Sequence, residues 1–364
     1  MKRAYLVLVL LFVAACAPRA QIVLAPEAAV NPVRPVFVAT SRDGNSGIGF
    51  SNRRAPKTRF ARYDIAVPPD RAVGEISWPR GPANPATDFV ATKITPFEQP
   101  SEFRSSLTNA LAVRPEADRE AVIYVHGFNN NFADGVLRIT QLAHDFDLPG
   151  VAVHYSWPSA GNPLAYAYDR DSVLFARDGL EDLVREVKGA GARRIVLVAH
   201  SVGAQIVMEV LRQMAIAQPG LVDKIIDGVV LISPDIDIDV FRSQVARIGV
   251  LPDPFGIFVS RRDKVLTLSA RLTGQRNRLG NVESVDDLAD LKVTLIDVSE
   301  FSQGAGHFTL GSSAAVISIF ARAGDLETAF KGDRAGRSGL IPGTILTVQN
   351  ATAIILLPVT GLTQ

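Results

Sequence analysis

From residue 121 onward the chain alternates short apolar runs with longer amphipathic segments, and few architectures accommodate that order. The spacing predicts strands over Ala121–Val125, Val151–Ser156, Ile195–Ala199, Gly228–Ser233, Phe255–Ser260 and Val293–Val298. Helices are predicted between and after them, over Phe132–Phe146, Ser172–Lys188, Val202–Ala217, Val265–Leu272 and Gly311–Arg322. In the Ser172–Lys188 segment, Val173, Leu180, Leu183, Val184 and Val187 fall on one helical face, and Arg177, Asp178, Glu181, Asp182 and Arg185 lie off it. Strands that are apolar throughout, rather than alternating, must be covered on both faces. The pattern therefore predicts an α/β fold with a mostly parallel sheet flanked by helices. Upstream, Pro35–Thr40 and Arg59–Val67 read as further strands and Glu102–Leu111 as a helix.

The 364 residues are 47% hydrophobic and 21% charged, enough to bury a substantial core. The formal charge of +1 includes Lys2 and Arg3; without them the chain is close to neutral. No basic surplus points to a nucleic-acid partner. Lys2 and Arg3 precede an apolar run, Leu6–Val13, which is short for a membrane span. Val13-Ala14-Ala15-Cys16 resembles the lipobox of bacterial lipoproteins. The resemblance implies a signal peptide over residues 1–15, acylation of Cys16, and a lipid-anchored protein of the cell envelope. Ala17 after the cysteine implies the outer membrane, facing the periplasm. The alternative is an ordinary secretory leader cut near Ala17 or Ala20. Cys16 is the only cysteine, so it has no disulfide partner within the chain. Residues 16–33, rich in Ala, Pro and Val, read as a tether, and residues 34–325 as the folded domain. In the tail, 326–364, the interrupted apolar stretch Ile341–Val359 suits a hairpin better than a membrane span.

The sharpest chemical signal is Ala199-His200-Ser201-Val202-Gly203, between a predicted strand and a predicted helix. A serine on so tight a turn has its hydroxyl lifted above the sheet, and its neighbours two positions away must be small. The following helix would aim backbone N–H groups, Val202 first, at a developing oxyanion. A serine can also simply cap a helix. His126-Gly127-Phe128-Asn129 follows the strand Ala121–Val125 and is placed to give a second N–H donor, from Phe128 or Asn129. Of the five histidines, His307 stands in the Gly-rich loop Gln303–Phe308 after the last predicted strand, where a general base could reach Ser201. His126 reads as a loop-shaping residue, and His144 and His154 as structural.

Two acids compete to orient that base: Asp263, in Ser260-Arg261-Arg262-Asp263-Lys264, and the cluster Asp235, Asp237 and Asp239. Both obey the chain order Ser, Asp, His, and Asp263 stands after the second strand beyond the serine, the usual place. The loop Trp157–Tyr168 could wall a substrate pocket. Trp157 and Asn129 are therefore candidate substrate contacts, although Trp157 could equally pack in the core. No histidine or cysteine pattern suits a metal site, and no dissociable cofactor is implied.

Taken in order, these motifs resemble the α/β-hydrolase superfamily, in particular a bacterial family of esterase/lipase-like proteins of unassigned function. The shared landmarks are Phe37-Val38-Ala39-Thr40, Val125-His126-Gly127-Phe128-Asn129, Ser156-Trp157-Pro158-Ser159 and Ala199-His200-Ser201-Val202-Gly203. Ser233-Pro234-Asp235-Ile236-Asp237, Ser260-Arg261-Arg262-Asp263-Lys264 and Arg278-Leu279-Gly280 complete the set. Ala199 departs from the family's usual glycine. The resemblance implies a serine hydrolase acting on a small-molecule or lipid ester, with Ser201, His307 and Asp263 as its catalytic residues. A non-catalytic envelope lipoprotein that uses the same scaffold for binding is the alternative. Only about twenty residues separate Ser233 from Phe255, room for one short helix, so no large lid is expected there.

Overall fold

The computed structural model describes residues 19–44, 49–274, 277–322 and 343–358. Its strands are β1 (Val33–Arg42), β2 (Arg54–Ala66), β3 (Val90–Phe97), β4 (Glu120–Val125), β5 (Val151–Ser156) and β6 (Arg194–His200). They continue as β7 (Gly228–Ile232), β8 (Phe255–Val259), β9 (Thr294–Asp297), β10 (Gly343–Val348) and β11 (Ala351–Leu356). The helices are α1 (Pro100–Ala112), α2 (Phe132–Asp145), α3 (Tyr166–Phe175), α4 (Arg177–Gly189) and α5 (Gly203–Ala217). After these come α6 (Leu221–Ile225), α7 (Ile238–Ile248), α8 (Lys264–Leu272), α9 (Thr309–Ser312) and α10 (Ala314–Arg322).

All eleven strands join one sheet in the order β10-β11-β9-β8-β7-β6-β4-β5-β1-β2-β3. Only β2 and β10 run against the others. Because successive side chains of a strand point to opposite faces, each strand feeds two cores. Ile123, Leu197, Leu231 and Ile257 pack on one face with Leu180, Val184, Val207 and Met208. On the opposite face, Tyr124 and Ala152 meet Phe132 and Val136 of α2, and Val230, Phe258 and Ile296 meet Val316 and Phe320 of α10.

The position of the site follows from this order. β4 pairs with β5 on one side and β6 on the other, so successive crossovers diverge there and open a crevice at the carboxyl ends of β4 and β6. The loops holding His126 and Ser201 leave the sheet at that crevice.

Several elements differ from expectation. The single helix expected over Ser172–Lys188 is two, α3 and α4, meeting at Ala176, whose carbonyl accepts the Tyr155 hydroxyl at 2.6 Å. β3, which was not anticipated, extends the sheet. The β10–β11 hairpin docks through β11 onto β9. The connection from Ser233 to Phe255 holds only α7.

The expected tether is the largest correction. From Arg19 on it is docked: Ala20, Ile22, Ala25 and Ala28 are buried, and backbone bonds tie Ala25 and Val23 to Ala91 of β3 at 2.8 Å each. Small apolar residues let this arm lie close against the sheet edge, and that same composition reads as a linker in sequence. The leader, Cys16 and residues 326–342 lie outside the described residues. Among those described, no helix is long and apolar enough to cross a membrane.

Candidate active site

Ser201 sits immediately after β6 with φ 53°, a left-handed conformation that costs a non-glycine residue energy and is held by its surroundings. Those surroundings are specific. The Ser201 N–H donates to Ile232 O at 2.9 Å, and its carbonyl accepts the N–H groups of Ala204 (3.0 Å) and Asp235 (3.2 Å). Gly203 is required by space: a Cβ there would lie 2.4 Å from His126 O and 2.7 Å from Val125 O. Ala199, where the pattern usually has glycine, is a fully buried residue of β6 paired with Val125 and Leu231.

The structure brings Ser201, His307 and Asp263 together across more than a hundred positions of sequence. His307 Nε2 is 2.9 Å from Ser201 Oγ, and His307 Nδ1 is 2.7 Å from Asp263 Oδ2. The Asp263 carboxylate is completely buried and divides its two oxygens between two tasks. Oδ1 caps α8 by accepting the N–H groups of Val265 (3.0 Å) and Leu266 (2.9 Å), and Oδ2 faces the imidazole. The cap fixes the carboxylate's direction. The histidine loop is tied to the same helix start, because Lys264 N–H donates to Ala305 O at 3.0 Å. His200 packs edge-on to Phe308 and donates from Nε2 to His307 O at 3.2 Å. Burial, helped by the adjacent His307, holds His200 well below the usual histidine range, so it stays neutral beside the base.

Gly127 lies against the nucleophile; a Cβ there would be 2.9 Å from Ser201 Cβ and 2.6 Å from His200 Nδ1. Only glycine lets the loop pass, and the next residue is Phe128. Among the described residues, the N–H groups of Phe128 and Val202 have no acceptor, as expected of donors kept for a ligand.

Other expected site residues take different roles. Trp157 is fully buried, stacked on His126 at 5.0 Å and donating to His126 O at 2.7 Å. An indole enclosed in this way presents no face to substrate, which corrects its candidacy as a substrate contact. Asn129 stands half-exposed beside Phe128, where its carbonyl and side-chain oxygen accept Arg19 at 3.1 and 2.6 Å. His126 is buried between the carbonyls of Gly127 and Trp157 and shapes the loop. Asp235 does not approach the histidine. It forms a buried 3.0 Å ion pair with Arg278 and accepts Ser269 and Tyr166 hydroxyls. The pair fastens Leu279 and Gly280 over the Pro234–Ile236 turn behind the nucleophile. Asp237 caps α7.

One residue escaped the sequence reading. Arg42, at the end of β1, is fully buried. Its guanidinium donates to Ser156 Oγ (2.9 Å), Asn52 Oδ1 (2.8 Å), Ser159 O (3.1 Å) and Asn130 O (2.9 Å). Burial pulls its pKa down to about 9, against the opposing pull of Asp169 and Asp134. A buried cation thus clamps the loop carrying Phe128 to the end of β5. Its partners, mostly carbonyls and small polar groups, are scattered in sequence and leave no motif.

A histidine poised between a serine hydroxyl and a buried carboxylate, beside two unengaged N–H donors, can activate the hydroxyl for attack on a carbonyl. A family model described as alpha/beta hydrolase of unknown function (DUF900) matches residues 100–322, more than half of the chain. The chain belongs to that family. No curated protein matches this hydrolase in sequence. Among solved structures, it is similar to an alpha/beta hydrolase enzyme from the metagenome of Lake Arreo, Spain, at 14% identity and TM-score 0.37, covering 78% of this chain and 81% of that one. It is also similar to a fungal esterase from Rhizomucor miehei (12%, TM-score 0.38, 82% and 86% covered) and an esterase of Pyrococcus furiosus (13%, TM-score 0.33, 78% and 88% covered). Among the described residues, no three His, Cys, Asp or Glu side chains gather as a metal site would need.

Proposed function

We propose that this hydrolase cleaves a carboxylic ester or a related acyl bond through an acyl-enzyme intermediate. His307 Nε2 takes the proton of Ser201 Oγ as that oxygen attacks the substrate carbonyl. Asp263 holds the imidazole with Nδ1–H toward its carboxylate and stabilises the imidazolium. The carbonyl oxygen becomes an oxyanion bound by the N–H groups of Phe128 and Val202. The carbon–oxygen bond to the leaving group breaks as His307 returns the proton to that group. Water, deprotonated by the same imidazole, then releases the acid and restores Ser201.

The observation that carries the proposal is the unbroken chain of contacts from Ser201 Oγ to His307 at 2.9 Å and from His307 to Asp263 at 2.7 Å. Hydrolysis of p-nitrophenyl esters by the purified protein tests it. Activity that falls by about three orders of magnitude or more in Ser201→Ala supports the mechanism; activity retained in that variant ends it.

We also propose that Cys16 carries the lipid anchor of an envelope protein. Its support is the Val13-Ala14-Ala15-Cys16 sequence. Metabolic labelling with a palmitate analogue should mark the wild type and not Cys16→Ser; equal signals would remove the anchor.

A further inference from the structure

Arg19 is held at the rim of the site. Arg19 Nη2 donates to Asn129 Oδ1 and to Gly161 O, both at 2.6 Å, and Arg19 Nη1 donates to Asn129 O at 3.1 Å. The backbone is held there too, because Ala20 O accepts Asn131 Nδ2 at 2.9 Å. Asn129 adjoins Phe128. Cys16 is three residues before Arg19 in sequence, and three residues of extended chain reach at most about 11 Å.

The same edge carries an unusual helix face. Helix α8 is capped by Asp263, and beyond mid-length its Ser269 still bonds Asp235 (2.8 Å), in the loop after β7, and Tyr166 (2.9 Å), the first residue of α3. The helix therefore lies across the carboxyl edge of the sheet. Leu266, Ser269 and Ala270 face inward and are buried. At 100° per residue, Lys264, Leu268, Arg271 and Leu272 share the outward face. Leu268 and Leu272 are 56% and 67% exposed, and the helix contains no acidic residue. On the loop that Arg19 grips through Gly161, Leu164 is 91% exposed. Isolated exposed leucines are ordinary. Here they are interleaved with Lys264 and Arg271 on one face, which is the make-up of an interfacial helix lying on anionic headgroups.

We propose that the carboxyl edge of the sheet rests on a bilayer carrying anionic headgroups, with α8 and Leu164 in the interface, so that the site draws its acyl substrate from the leaflet. The substrate class rests on the acyl-enzyme mechanism, and the orientation rests on an acylated Cys16.

The full-length lipidated protein is reconstituted in phosphatidylethanolamine–phosphatidylglycerol vesicles that contain a headgroup-spin-labelled lipid. A thiol-reactive fluorophore is placed at Leu164→Cys, at Leu272→Cys or, next to the amino end of β7, at Lys224→Cys. Strong quenching at 164 and 272 with little at 224 supports the orientation. Equal quenching at all three positions overturns it, as would a face occupied by a protein partner or a protein that does not float with the vesicles. Fluorescence needs no turnover, so a docked but inactive protein would refute the acyl-enzyme mechanism and leave the orientation standing. For the substrate, Leu268→Asp/Leu272→Asp should lower the ratio of vesicle-embedded ester to soluble ester hydrolysis at least about tenfold, the equivalent of losing one leucine's burial. An unchanged ratio overturns the substrate class.

Discussion

Replacing Asp263 with asparagine would keep one task of this side chain and invert the other. The asparagine carbonyl can still accept the Val265 and Leu266 N–H groups that Oδ1 now accepts at 3.0 and 2.9 Å, and Asn is as good a helix cap as Asp. The amide nitrogen then stands where Oδ2 was, 2.7 Å from His307 Nδ1. A donor there forces the imidazole to carry its proton on Nε2, where Ser201 needs an acceptor. The expected loss in kcat is on the order of 10⁴, about 5 kcal/mol of transition-state stabilisation. Folding stability should change by less than about 1 kcal/mol. Ester hydrolysis and urea denaturation on the same preparation separate the two quantities. Asp263→Ala is the companion, losing activity and also about 1 kcal/mol of cap. Asp263→Asn activity within about tenfold of wild type would refute the reasoning.

Gly203→Ala drives a methyl into the backbone oxygens of Val125 and His126 and should cost about 1–3 kcal/mol in urea denaturation while displacing Ser201 and lowering kcat. Arg42→Met leaves the Asn130 and Ser159 carbonyls without their donor; a loss of about 3–5 kcal/mol is expected by the same assay, and a shift under 1 kcal/mol would contradict the clamp. Arg278→Met strands the buried Asp235 charge and should be more destabilising than the Asp235→Asn/Arg278→Met double variant; a double variant no more stable than the single one would sink the buried-pair account. Burial holds His126 and His200 well below the usual range and His154 at about 3, whereas in the unfolded chain each titrates near about 6.5. Between those values the unfolded chain binds more protons, so stability is full above about pH 6.5 and is lost as pH falls toward 3. The urea midpoint should drop between pH 7.5 and pH 5, and a constant midpoint would argue against neutral buried histidines.

The central sheet was legible because β4, β6, β7 and β8 are largely apolar on both faces and alternate with amphipathic helices, which suits a doubly covered parallel sheet. The meeting of Ser201, His307 and Asp263 was legible because each follows a strand at the same edge, and the choice of Asp263 over Asp235 as the neighbour of His307 followed strand counting. What escaped depends on tertiary contacts. β3 holds Lys93 and Pro96 within Val90–Phe97, and its place at the sheet edge tolerates both. The arm from Arg19 looks like a linker because its buried residues are mostly alanines, whose small burial leaves no periodic signal. The Arg42 clamp and the Arg19 grip are bonds to carbonyls and small polar groups that become neighbours only once the fold closes. Trp157 was open to two readings because an indole before Pro158 suits a pocket wall or a core equally, and stacking on His126 decides for the core.

The most direct trial is covalent. A fluorophosphonate probe incubated with the native protein should attach to the peptide containing Ser201, as located by mass spectrometry, and attachment should vanish in Ser201→Ala and fall steeply in His307→Ala. Native protein that stays unlabelled, or a label carried by a different serine, would contradict the account.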